Sequence, residues 1–219
     1  MEFKYGIFDL DGTIFDAMPA YAKIYSRILN DRFGILPENS VGYYLESAGT
    51  PLNEQFRYML EATNKPKDKI PEMVKEFFDL VGKENFSLFD GAKKVLEDLH
   101  NKGVKLFVTT GSEDSLTAKR LDRAGISRYF SLVLGSSQKE KGPWHIERFA
   151  RSIKVPIDEF SKLAFYIGDG PFDMHLAKMF GIYAIGIPTT VSKNLLLESG
   201  ADEVVEKISD IGKLKKISG

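Results

Sequence analysis

From Phe89 onward the chain alternates short apolar runs with amphipathic helical stretches, and no other feature constrains the fold more. Ala92 to Lys102 puts Val95, Leu96 and Leu99 on one helical face, and Gly103 stops it. Val104 to Thr109 then has the length and composition of a buried strand. The rhythm repeats: helix 115–124, strand 131–134, helix 144–152, strand 163–167, helix 172–180, strand 182–187 and helix 193–199. A short strand at 203–205 and a final helix from Ile208 complete it. A further apolar run, Phe3 to Phe8, begins the series. Such alternation predicts an α/β fold, a Rossmann-like parallel sheet with helices on both faces.

Between the first strand and this series the pattern is helical throughout. Ala17, Ala20, Tyr21, Ile24, Ile28, Leu29 and Phe33 recur at helical spacing, and Gly34 sits where a stop is expected. Val41 to Glu46, Leu52 to Thr63 and Ile70 to Gly82 continue it, punctuated by Pro37, Gly49-Thr50-Pro51 and Asn64-Lys65-Pro66. The expected organisation is an α/β core of residues 1–16 and 88–219, with residues 17–87 inserted as a small helical domain.

Chemistry gathers at the strand ends. The first strand ends in Asp9-Leu10-Asp11-Gly12-Thr13, two carboxylates that repel one another unless a cation sits between them. In an open α/β sheet, that edge is where ligands bind. The second strand ends in Thr109-Thr110-Gly111-Ser112, which offers hydroxyls and backbone N–H groups for an anion. The third runs into a loop with Lys139 and Lys141, and the fourth ends in Gly168-Asp169-Gly170-Pro171-Phe172-Asp173. Acids for a hard cation, a lysine for an anion and N–H donors form the set that phosphoryl transfer uses.

These four stretches, in this order, resemble the motifs of the haloacid dehalogenase-like superfamily, beginning with Asp-x-Asp-x-Thr. The resemblance covers essentially the whole chain. It implies that Asp9 is the nucleophile that forms an aspartyl-phosphate and that Asp11 is the general acid/base. It implies that Thr110, with Thr109 as the alternative, is the motif-two hydroxyl, and that Lys141, with Lys139 in competition, is the motif-three lysine. Gly12, Thr110, Gly111, Ser112 and Lys141 are then candidates for phosphate binding. Asp9, Asp11, Asp169 and Asp173 become candidates for holding Mg2+, Asp11 through its backbone carbonyl. The helical insert resembles the family's C1 cap, with 16–21 and 47–51 expected on its inner face.

Asp11 also separates activities within that superfamily. A departing halide needs no proton and a departing alkoxide does, so an acid here implies a phosphatase. The implied substrate is a small phosphorylated metabolite of the phosphoglycolate, sugar phosphate or nucleotide monophosphate class. A phosphomutase of the β-phosphoglucomutase type is the alternative, and an idle domain that binds a phosphorylated ligand or a protein is the third reading.

Bulk properties exclude other classes. The 219 residues carry a formal net charge of −1, which gives no basic field for nucleic acid or an anionic membrane. Cysteine is absent, so disulfides, thiolate metal sites and a thiol nucleophile are ruled out. His100, His145 and His175 are scattered without zinc-ligand spacing. No apolar run approaches the ~18 residues of a membrane span. A cytoplasmic monomer is the expectation, with a dimer possible.

Overall fold

A computed structural model describes residues 3–218. Strand β1 (Tyr5–Phe8) is followed by four helices, α1 (Met18–Phe33), α2 (Pro37–Glu46), α3 (Leu52–Ala62) and α4 (Ile70–Val81). Then come α5 (Ala92–Asn101), β2 (Lys105–Thr109), α6 (Asp114–Ala124), β3 (Phe130–Leu134), α7 (Pro143–Ser152), α8 (Ile157–Lys162) and β4 (Ala164–Gly168). The chain continues through α9 (Pro171–Met179), β5 (Tyr183–Gly186), α10 (Lys193–Glu198) and β6 (Glu203–Val204). Every pairing is parallel, in the order β3-β2-β1-β4-β5-β6. The α/β parallel sheet expected from the alternation is therefore the observed fold.

Side-chain alternation divides the sheet between two apolar layers. Ile7, Phe107, Tyr166 and Ala184 belong to one, while Phe8, Val108, Ile167 and Ile185 belong to the other. The second layer is continuous with the insert, where Tyr25, Phe56, Met73 and Phe77 are buried. Pairing β1 with β2 on one side and β4 on the other brings three of the polar strand ends together.

The insert is tied at its base. Phe15 forms an antiparallel bridge with Leu88. The Asp16 N–H donates to the Ser87 carbonyl and the Phe89 N–H to the Ile14 carbonyl, each at 3.0 Å. The outgoing and returning chains thus run side by side.

Three details depart from the sequence reading. Helix α2 begins at Pro37 rather than Val41. A proline suits the first turn, where its missing N–H has no partner to lose. Helix α8 was not anticipated; it is only six residues long and carries two apolar positions, Ile157 and Phe160. The single helix expected from Ile208 is a 3-10 segment (Ile208–Lys213) followed by a short α11 (Lys215–Ser218). Ile208 and Ile211 are both buried, a spacing of three that suits the tighter 3-10 turn. Among the described residues no helix is long and apolar enough to cross a membrane.

Candidate active site

The carboxyl ends of β1, β2 and β4, the loop after β3 and the insert line one cavity of about 280 Å3. Asp9, Asp11, Thr110, Gly111, Ser112, Lys141, Asp169 and Asp173 all line it. Gly12 lies behind them in the left-handed region (φ 92°), where a Cβ would collide with the Asp169 carboxylate. Only glycine lets the loop pass so close.

Lysine 141 is the electrostatic hub. It is buried, and its Nζ lies 2.6 Å from Asp9 Oδ1 and 2.6 Å from Asp173 Oδ1. Burial alone would lower its affinity for a proton. The Asp173 and Asp9 charges outweigh burial and hold the ammonium well above the usual lysine range. Lys139 is exposed, with its Nζ 5.8 Å from the centre of the Trp144 ring, outside the cavity.

Asp9, Asp169 and Asp173 present oxygens within 4.8 Å of one another, all buried. Thr13 donates to Asp169 Oδ1 at 3.2 Å, and the Thr190 hydroxyl donates to Asp169 Oδ2. Asp173 accepts the Tyr166 hydroxyl at 2.9 Å and the Gly170 N–H at 3.3 Å. Asp9 Oδ2 is buried without a hydrogen-bond partner among the described residues. A buried carboxylate oxygen facing two more acids is costly alone and suited to a hard divalent cation, so these residues fit such an ion.

The two other pKa shifts in this cluster follow from the same crowding. Burial pushes Asp9 well above the usual carboxylate range; Lys141 opposes this, and Asp173 and Asp169 add to it. Burial, and then the Asp173 charge, raise Asp169 from 3.8 to about 6. Between those values the folded chain holds a proton at Asp169 that the unfolded chain has lost. This group's contribution to stability is full below the lower value and is lost as pH rises through about 6. In chelator, the thermal midpoint is therefore expected to fall between about pH 4 and pH 6.5. Asp169→Asn should remove part of that fall and raise the midpoint at the upper pH by a few degrees. A wild-type midpoint that climbs with pH while the variant's stays flat would contradict the assignment.

Asp11 faces another set of partners. Arg120 Nη2 lies 2.6 Å from its Oδ1, to which Tyr21 also donates at 3.2 Å. Ser112 Oγ donates to its Oδ2 at 2.9 Å, with Thr110 Oγ1 at 3.4 Å. Named among the candidate metal ligands, Asp11 thus turns its carboxylate away from the other three. The Arg120 guanidinium is buried between the Phe15 and Phe86 rings, 4.5 and 4.8 Å from their centres, and also donates to the Tyr21 hydroxyl.

Thr110 and Thr109 separate in the same way. The Thr110 hydroxyl accepts from the Ser112 N–H at 3.1 Å inside the cavity. Thr109 lies 2.7 Å from His145 Nδ1, and burial pushes His145 below the usual histidine range. On the insert, Met18 and Tyr21 line the cavity, as do 48–51; Asp16 is exposed and does not. Arg120, Thr190 and Tyr166 went unremarked in the sequence, since nothing local marks which polar residue of a helix or loop turns inward. Thr13 was visible as the last letter of the first motif.

The chain is similar to several known proteins. The description "Haloacid dehalogenase-like hydrolase" matches residues 6–187. A protein named tyrosine-protein kinase PtkA, from Mycobacterium tuberculosis, is 23% identical over 97% of this chain and 72% of its own. A putative pyrophosphatase PpaX from Caldanaerobacter subterraneus is 26% identical over 96% and 92%. A phosphoglycolate phosphatase from Pseudomonas fluorescens is 26% identical over 83% and 68%. The crystal structure of a predicted phosphatase from Clostridium acetobutylicum superposes with a TM-score of 0.81, covering 97% of this chain and 98% of that one, at 24% identity.

Proposed function

Since this chain belongs to the haloacid dehalogenase-like hydrolase family, we propose that it is a Mg2+-dependent phosphomonoesterase acting on a small phosphorylated metabolite. In this reading residues 17–87 form a cap over the core, and the reaction takes place between them. The observation that carries it is Asp9: a buried carboxylate at the mouth of β1, one oxygen on Lys141 and the other without a partner.

A divalent cation held by Asp9, Asp169 and Asp173 would neutralise phosphoryl charge and keep these carboxylates ionised. The chain's own groups supply the rest. An Asp9 oxygen attacks phosphorus, the ester P–O bond breaks, and the departing oxygen takes a proton from Asp11. Water then attacks phosphorus and gives its proton to Asp11, and the bond from phosphorus to Asp9 breaks to release inorganic phosphate. Lys141 orients Asp9 and faces the phosphoryl oxygens, while Thr110, Ser112 and the adjoining N–H groups offer donors opposite. The cap walls exclude bulk water, which strengthens each of these interactions.

The test is inorganic phosphate release from para-nitrophenyl phosphate with Mg2+ or with chelator. Release should require the metal and equal the substrate consumed, and Asp11→Asn should slow it by roughly 10²–10⁴-fold, with the thermal midpoint lowered because the buried Arg120 guanidinium loses its counter-charge. Para-nitrophenolate leaves easily without a proton, so alkyl esters should show the larger loss. Full activity in Asp11→Asn on an alkyl ester would sink the role given to Asp11. Substrate consumed without phosphate appearing would favour a mutase instead.

A further inference from the structure

We infer that the leaving group this cavity accommodates is small, uncharged and hydroxylated, as in a sugar or polyol phosphate, and that Gln55 reads one of its hydroxyls. This rests on the phosphomonoesterase reading and adds to it the half of the substrate that the reaction discards.

The charge of the lining is the first ground. Among the described lining residues Lys141 is the lone cation, and it already faces Asp9 and Asp173. Asp9, Asp11, Glu140, Asp169 and Asp173 line the same space. The described cap residues that complete it include Tyr44, Leu52, Gln55, Val74, Phe77 and Phe78, and none of its cap residues is basic. Arg120 cannot serve; its guanidinium is stacked between Phe15 and Phe86 behind Asp11. The phosphoryl group, with the metal beside it, therefore takes up the one cationic side chain of the lining, and none is left for the leaving side. A carboxylate or second phosphate on the leaving side would lose its water against aromatic rings with no counter-charge.

The second ground is an acceptor without a donor. Gln55 is 4% exposed. Its Nε2 donates to the Thr50 carbonyl at 2.8 Å, which fixes the orientation of the amide. Its backbone carbonyl accepts the Tyr25 hydroxyl at 2.9 Å. Among the described residues its Oε1 has no hydrogen-bond partner, and it is buried. Buried acceptors are nearly always satisfied and Gln55 lines the cavity, so this oxygen is assigned a ligand hydroxyl as its donor. Tyr44 and Phe77 line the same cavity and give the C–H side of a sugar or polyol an aromatic surface to pack against. At about 280 Å3 the cavity is at the small end of ligand sites, which favours a short ester over a nucleotide.

The experiment compares kcat/KM across matched esters with Mg2+ present: glycerol 1-phosphate, ribose 5-phosphate and glucose 6-phosphate against phosphoglycolate, phosphoserine and pyrophosphate. A hydroxylated neutral ester should lead by about 10-fold or more. Its deoxy analogues should fall by a similar factor where the missing hydroxyl is the one read by Gln55. In Gln55→Leu that preference for hydroxyl over deoxy should collapse toward one, because the acceptor is gone. Phosphoglycolate, phosphoserine or pyrophosphate leading the wild-type panel would overturn the inference while leaving the phosphatase reading intact. Equal losses in Gln55→Leu on hydroxyl and deoxy substrates would make Gln55 structural and overturn its role. No phosphate from any ester, para-nitrophenyl phosphate included, would overturn the underlying reading instead. The wild-type panel needs no variant, so poor folding of Gln55→Leu would not shield the substrate class from refutation.

Discussion

Asp9→Asn is expected to lower kcat by roughly 10⁴–10⁶-fold, because an amide cannot make the bond to phosphorus that the proposed reaction requires. The same change should not weaken the fold. Asp9 Oδ2 has no hydrogen-bond partner, and burial raises the carboxyl's pKa well above its ordinary value. Both observations say that ionised Asp9 is strained in the metal-free protein. Lys141 retains Asp173 when the Asp9 charge is removed. In chelator the variant's thermal midpoint should therefore equal or exceed that of the wild type. Single-turnover kinetics and thermal denaturation on the same preparation separate the two effects. Residual turnover near the wild-type rate would mean that the nucleophile lies elsewhere. A midpoint lowered by about 10 °C would mean that the carboxylate supports the fold rather than the chemistry.

Lys141→Met should do the opposite to stability. Removing one partner from a buried ion pair leaves the other uncompensated, at a cost of about 3–5 kcal/mol. Here two carboxylates, Asp9 and Asp173, lose their shared cation. For a chain of this length the thermal midpoint should drop by roughly 10 °C in the absence of metal. The deficit should shrink as pH is lowered toward 5, where a proton can replace the lysine charge. Turnover should fall as well, since nothing then orients Asp9. Lys139→Met is the control. Its ammonium is exposed and faces only the Trp144 ring, so the midpoint should stay within a degree or two. Similar losses in both variants would erase the distinction between the two lysines of this loop.

That distinction shows where the sequence stops being informative. The loop from Gly135 to Pro143 is recognisable as anion-binding from its lysines, but which lysine turns inward depends on how α7 begins at Pro143. Strand-end carboxylates were readable because a parallel sheet sends all strand ends to one edge, whatever the details of packing. Gly12 was readable as part of the first motif, although its contact with Asp169 was not. Arg120 was invisible. It sits among Lys119, Asp122 and Arg123 in an ordinary amphipathic helix, and its partner Asp11 is more than a hundred residues away. Tyr21 carried helical spacing that already explained it as core; its hydroxyl nevertheless reaches both Asp11 and Arg120. Local pattern gives an element its face, and only tertiary placement gives a side chain its partner. Helix α8 and the 3-10 segment after Lys207 failed for a simpler reason, being too short for periodicity to register.

The strand order also governs how the protein is made. β1 is synthesised well before β2 and β4, yet it pairs with β2 at Lys105 and with β4 at Ala164. At about 5–20 residues per second, seconds pass between synthesis of Asp9 and the arrival of its neighbours. During that interval the apolar run from Tyr5 to Phe8 has no sheet to join. Contacts so distant in sequence close slowly and leave strand edges open to other chains. The helices α1–α4, whose contacts are local, can collapse on their own while the N-terminal strand waits. The carboxylate cluster is consequently among the last features assembled, and a chain truncated before Gly168 would carry Asp9 and none of its acidic partners from the end of β4. Early termination therefore yields an inert, aggregation-prone fragment rather than an unregulated hydrolase.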